Sequence, residues 1–160
     1  MERLATIGVY GWDLRSFTSA LGDGGIGVVA DVRQRRGVRG REYSWANAQR
    51  LQAALADAGV AYRHFKELAP TTELRQLQYA EDDRLGVGKR SRSLLAPEYV
   101  ERYSDEILDH VDLDEIVGEL PRSAVPALLC VERDPEACHR SLVAQRLAAQ
   151  LGVSVTHMRP

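Results

Sequence analysis

Ile26-Gly27-Val28-Val29-Ala30-Asp31-Val32 is apolar on both alternating faces, with one acid near its end. A strand of that kind is stable inside a sheet that is covered on both sides. It is one of five short apolar runs; the others are Leu4 to Val9, Val60 to Phe65, Ala127 to Glu132 (opened by Pro126) and Val153 to Met158. The residues between them carry helical spacing. Leu14, Phe17 and Leu21 follow a capping Asp13 and stop at Gly22, while Ala48, Leu51, Leu55 and Ala58 follow a capping Ser44 and end at Gly59. Glu73 to Leu85 and Pro97 to Val111 read as helices, the latter with Val100, Tyr103, Ile107 and Val111 inward. Asp134-Pro135 opens a last helix that runs to Leu151 and stops at Gly152. Gly86 to Ser93 reads as an exposed loop. The alternation predicts one α/β domain over residues 1–160: a three-layer, Rossmann-like domain with a mainly parallel sheet of about five strands and helices on both faces.

A chain of 160 residues, 44% of them hydrophobic, is long enough for a core of its own. No apolar run approaches the roughly 18 residues of a membrane span. The amino terminus enters a strand without the pattern of an export signal, and two cysteines suit a reducing compartment, so a cytoplasmic protein is expected. Charge is unevenly placed. From Glu98 to Glu119 nine acids stand against Arg102 alone, although the whole chain carries only −2. The positive excess gathers in Arg33, Arg35, Arg36, Arg39 and Arg41, and in Lys89-Arg90-Ser91-Arg92.

Ligands of such sheets bind outside the carboxyl ends of the strands. Tyr10 follows the first strand, Asp31 and Arg33 end the second, and Cys130 and Glu132 end the fourth. Cys138 and His139 fall in the first turns of the last helix, where free N–H groups favour a thiolate or a bound anion. Arg140 lies on the buried stripe with Val143, Leu147 and Leu151 and needs a partner: Glu132, Asp31 or an anionic ligand. Asp31, Arg33, Glu132, Cys138 and Arg140 are therefore expected around one pocket. Arg33 and Arg140 would clamp an anion, with Tyr10 and Cys130 beside it. Asp31 or Glu132 would be the general acid or base, and Cys138 with His139 the nucleophile or orienting pair.

Blander readings stand beside these. Cys130 suits a buried structural thiol, and Arg140 a tie between strand and helix. Cys130, Cys138 and His139, with His64 or His157, would make a metal set, but Cys-x7-Cys-His matches no standard zinc spacing; neither metal nor cofactor is expected. Arg35, Arg36, Arg39 and Arg41, followed by Tyr43 and Trp45, suit a phosphate backbone and stacked bases of a single-stranded nucleic acid. The alternative is a solvated loop answering the acidic helix, within one chain or across a homodimer. No phosphate-binding glycine motif is present, because Gly22 to Gly25 precede a strand.

Thr6-Ile7-Gly8, Asp31-Val32-Arg33 and Cys130-x-Glu132-x-x-Pro135-x-x-Cys138-His139-Arg140-Ser141 together resemble the domain-of-unknown-function family 488, in the right order over nearly the whole chain. The resemblance implies an α/β domain and no established activity. Many members of that family follow Thr-Ile-Gly with His-Ser-Asn, where this chain has Val9-Tyr10-Gly11; an aromatic-Asn pair is replaced by Tyr43-Ser44. The Asp-Val-Arg, the strand-end cysteine and the Arg-Ser pair are also similar to rhodanese sulfurtransferases, which wrap a short loop from cysteine to arginine around the sulfur. The ten positions from Cys130 to Arg140, with Pro135 inside, are longer than such a cradle. The resulting expectation is an enzyme acting on a phosphate-bearing, nucleotide-like or nucleic-acid substrate. A non-catalytic nucleic-acid-binding or anion-binding module is the alternative, and thiol or sulfur-transfer chemistry a more distant one.

Overall fold

A computed structural model describes residues 1–160. Its five strands are β1 (Arg3–Ile7), β2 (Ile26–Asp31), β3 (Ala61–His64), β4 (Val125–Leu129) and β5 (Ser154–Met158), all parallel in one sheet of order β3-β2-β4-β1-β5. The α/β, three-layer, Rossmann-like reading of the sequence is what the chain adopts. The helices are α1 (Leu14–Asp23), α2 (Ala48–Asp57), α3 (Thr72–Leu85), α4 (Pro97–Tyr103), α5 (Leu113–Glu119) and α6 (His139–Leu151). Asp13 caps α1 by accepting from the Ser16 N–H at 2.7 Å.

Strand order explains the layers. From β1 to β2 to β3 the chain steps one way along the sheet, and from β3 to β4 to β5 it steps back. Right-handed crossovers then place the first two connections on one face and the later ones on the other. The packing agrees. Phe17 and Leu21 of α1 and Leu51 and Leu55 of α2 bury against Ala5, Ile7, Val29 and Leu129. Leu74, Tyr103, Ile116, Val143 and Leu147 from α3 to α6 bury against Leu4, Val28, Ala30 and Leu128 on the opposite face. Successive residues of β2 and β4 thus serve alternate cores, the period of two that an apolar strand needs.

Four local expectations need correction. Asn47 is extended and its side chain accepts from the Val38 N–H at 2.8 Å, so α2 starts at Ala48; the segment after Ser44 belongs to a 3-10 turn, Arg41–Ala46. The helix from Pro97 does not continue evenly to Val111. α4 passes into a wide π turn, Ser104–Leu108, whose five-residue step from Tyr103 to Leu108 keeps both buried, and α5 follows as a separate helix. Pro135–Ala137 forms only a 3-10 turn. Cys138 is extended (φ −142°, ψ 142°) and caps α6, which begins at His139. Finally, the loop after α3 is not wholly exposed, because Arg92 is buried within it.

Candidate functional site at the carboxyl edge of the sheet

The connections after β2 and β4 leave on opposite faces, and these two strands are neighbours. A crevice forms at such a reversal, beyond the carboxyl ends of the strands. Here it is a cavity of about 750 Å³ between the segments that follow β2 and β4, α3, and the loop at 88–92. Six arginines and Lys89 line it, against Glu132 as the sole carboxylate.

Its floor comes from the residues just past β4 and at the start of α6. Cys130 Sγ lies 3.4 Å from Glu132 Oε2 and 3.8 Å from His139 Nδ1, and Cys138 Sγ lies 3.9 Å from the same Nδ1. The His139 Nε2 is 2.9 Å from the Val32 carbonyl oxygen, which only accepts, so Nε2 carries the proton. Nδ1 therefore faces both sulfurs, and in the neutral ring it turns its lone pair towards them. Tyr103 packs against this ring at 5.4 Å and donates its hydroxyl to the Leu68 carbonyl, which ties the floor to α4.

Burial pushes the Cys130 thiol well above the usual thiol range and raises the Glu132 carboxyl, against the pull of Lys89 and Arg92. At Cys138 burial acts in the same sense but is outweighed. The hydrogen bond from Cys130, the Arg140 charge and His139 hold that thiol well below the usual range. Burial lowers His139, and the Cys138 interaction with the Val32 hydrogen bond more than reverses it. The arrangement can hold a thiolate beside an imidazolium, or offer two sulfurs and one nitrogen to a metal.

Of the five residues expected around one pocket, Arg33, Glu132 and Cys138 line the cavity, and Asp31 and Arg140 do not. Asp31 is fully buried. Its oxygens accept from Arg33 Nε and Nη2 at 2.9 and 2.7 Å and from the Tyr62 hydroxyl at 2.6 Å, which locks β2 to β3. Arg33 also donates to the Ala46 carbonyl at 2.8 Å. Arg140 is paired with backbone rather than with the Glu132 carboxylate: it donates to the carbonyls of Glu132 at 2.6 Å and Arg133 at 3.0 Å. It clamps the turn that presents Glu132, so its position is that of an anchor.

Tyr10, Cys130 and His139 also line the cavity. Tyr10 does so under Arg90, whose guanidinium lies 5.2 Å from its ring and 5.3 Å from that of Tyr43. The arginine arm divides: Arg35 and Arg39 face the cavity, Arg36 reaches the Tyr62 hydroxyl, and Arg41 is exposed. His64 bonds the Arg33 carbonyl and His157 the Thr6 hydroxyl, so neither joins the cysteines.

Sequence reading missed Arg92, Asp82, Gln78 and Arg75. Arg92 donates to Asp82 at 2.7 Å, to Glu132 at 2.9 Å and to the Ala137 carbonyl at 3.1 Å, bridging α3, the end of β4 and the entry to α6. Gln78 donates to Asp82 and accepts from the Ala96 N–H. A signal existed: Gln78 and Asp82 share the inward stripe of α3 with Leu74, and buried polar side chains require partners. Arg75 bonds Gln34 and the Tyr79 hydroxyl and has no carboxylate partner.

The family model described as a domain of unknown function, DUF488, matches residues 13–147. No curated protein and no solved structure matches the chain. No helix is long and apolar enough to cross a membrane. With the match spanning most of its length, the chain belongs to the DUF488 family.

Proposed function

We propose that the protein is an enzyme acting on a phosphate-bearing, nucleotide-like substrate bound in the cavity beyond β2 and β4. The observation that carries this reading is the surplus positive charge of the lining: of its six arginines and one lysine, Arg33, Arg90, Arg92 and Lys89 pair with Asp31, Glu42, Asp82 and Glu132, and three arginines are left over. Arg35, Arg39 and Arg75 have no carboxylate partner, so their charge is free for an anion. Tyr79, half-buried in the lining, adds aromatic surface for a planar ring, and about 750 Å³ suits a ligand of nucleotide size.

Binding alone needs only the cations. Glu132, with Cys138 and His139 at the floor, supplies groups that act on a substrate: a carboxyl to move a proton, and a thiol–imidazole pair beside it. Free thiols at this floor suit a cytoplasmic setting. The exposed Arg41 extends the positive surface outside the cavity and favours, as a second reading, a module that holds single-stranded nucleic acid without turnover.

A turnover screen over nucleoside phosphates separates the two. Glu132→Gln is expected to lower kcat by about 10²-fold or more while leaving Kd nearly unchanged. Arg75→Ala is expected to raise Kd. A ligand that binds and is never consumed, with Glu132→Gln silent, would establish the module instead.

A further inference from the structure

We infer that Cys130, Cys138 and His139 form a three-ligand site for a zinc-class divalent cation, open on its fourth side to the cavity. The three ligating atoms lie within 4.8 Å of one another. Zinc–sulfur bonds of about 2.3 Å and zinc–nitrogen bonds of about 2.1 Å give a tetrahedral sulfur–nitrogen edge of about 3.6 Å. The observed sulfur–nitrogen edges are 3.8 and 3.9 Å, within a few tenths of an ångström of that value, and the two sulfurs, no more than 4.8 Å apart, would close to a tetrahedral sulfur–sulfur edge of about 3.8 Å by side-chain rotation.

The histidine is oriented as a ligand must be. A metal-bound imidazole keeps the proton on its other nitrogen and gives it to a fixed acceptor, which sets the tautomer. His139 Nε2 does this with the Val32 carbonyl at 2.9 Å and leaves Nδ1 nearly equidistant from the two sulfurs. The donors rest on separate rigid elements: Cys130 just past β4, Cys138 and His139 at the head of α6, and their orienting carbonyl just past β2. The spacing Cys-x7-Cys-His matches no standard zinc pattern because the strand–turn–helix connection, not a short knuckle, brings the second thiol back to the first.

Charge and softness agree. Two thiolates and a neutral imidazole balance a dication, so the neighbouring Arg92 and Lys89 would face a centre without net charge. Two sulfurs and a nitrogen select zinc over magnesium or calcium. All three ligands line the cavity, so the remaining position faces the anion-binding space. Glu132, with Oε2 3.4 Å from Cys130 Sγ, is the carboxylate on that side. Three protein ligands with one open position is the arrangement of catalytic rather than structural zinc. Coordination forms two Zn–S bonds and one Zn–N bond and releases to solvent whatever protons the two sulfurs and Nδ1 hold beforehand, transferring no electron.

The inference stands without the substrate reading; a cation held by Cys138 and His139 would take the place of their free thiol–imidazole pair and leave the roles of Glu132 and the arginines as proposed. Its test uses the reduced, chelator-treated full chain with zinc and then cobalt(II) as the probes. Expected are one zinc per chain, loss of reactivity of both thiols towards an aromatic disulfide reagent when zinc is present, and a thiolate-to-cobalt absorption band with cobalt(II). Cys138→Ser is expected to weaken zinc at least 10-fold, and Arg75→Ala to leave zinc binding unchanged. Thiols that react at the same rate with and without zinc in the wild-type chain overturn the inference, without any variant having to fold. Zinc retained by a folded Cys130→Ser/Cys138→Ser protein overturns it too, since the metal then sits elsewhere. Nucleotide binding by the wild-type chain is scored separately, so failure of either reading is visible on its own.

Discussion

Arg140 shows how a single buried side chain can set a site without entering it. Its guanidinium is fully buried, two of its nitrogens hold the carbonyls of Glu132 and Arg133, and its Nε has no partner. Charge-assisted hydrogen bonds are worth about 1.5–3 kcal/mol each, so Arg140→Ala is expected to cost about 3 kcal/mol in denaturant unfolding. A loss below about 0.5 kcal/mol, the size of an ordinary surface change, would show that the clamp is not structural. Tyr62 gives a pH signature. Burial and the neighbouring Asp31 charge push its hydroxyl up to about 12 from 10.0. The folded state keeps this proton longer than the unfolded chain does, so stability falls as pH rises. The contribution is present in full below pH 10.0 and is lost as pH rises towards 12. Tyr62→Phe should unfold with a flatter pH dependence across that window, and an unchanged slope would contradict the assignment.

At the scale of elements, the loop after α3 is a working part of the site because Arg92 joins it to α3, to Glu132 and to the entry of α6. Removing one member of a buried ion pair typically costs about 3–5 kcal/mol, because the remaining charge is stranded. Arg92→Ala leaves Asp82 without its cation and Glu132 with Lys89 alone, 4.0 Å away, and a loss in that range is expected, measured by urea unfolding. Gly8 matters for a related reason. A Cβ there would overlap the Glu132 carbonyl oxygen that Arg140 holds. Gly8→Ala is expected to lower the melting temperature and to expose the Cys130 and Cys138 thiols to alkylation; thiols as protected as in the wild type would contradict this.

These elements also show what the chain discloses before it folds. The strands and the first and last helices were legible because Phe17 and Leu21, or Val143 and Leu147, repeat at a helical period and the strands at two. Arg33, Glu132, Cys138 and His139 were legible as a group because strand ends converge in a parallel sheet. Arg92 was not, since a basic, glycine-rich loop has no periodicity and its burial depends on partners 10 and 40 residues away. Nor was the role of Arg140: a buried stripe says that a partner is needed, not that it is backbone. The π turn was hidden because its five-residue step from Tyr103 to Leu108 fits no regular helix.

The molecule as a whole sorts its charge. Its acidic stretch around α4 and α5 is answered at the surface by Arg102 with Glu106, and by Arg146 with Asp109. The arginines beyond β2 are not consumed by it, and strand order sets them against the floor beyond β4. Ligand affinity should therefore fall with added salt, as screening of the cationic lining requires. The most direct measurement is a thermal-shift comparison of a nucleoside monophosphate with its parent nucleoside, on the wild-type chain and on Arg75→Ala. The phosphate ester should raise the wild-type melting temperature with occupancy, the nucleoside should not, and the variant should respond to neither. Equal shifts from nucleoside and phosphate, or an undiminished shift in Arg75→Ala, would contradict an anion-binding cavity.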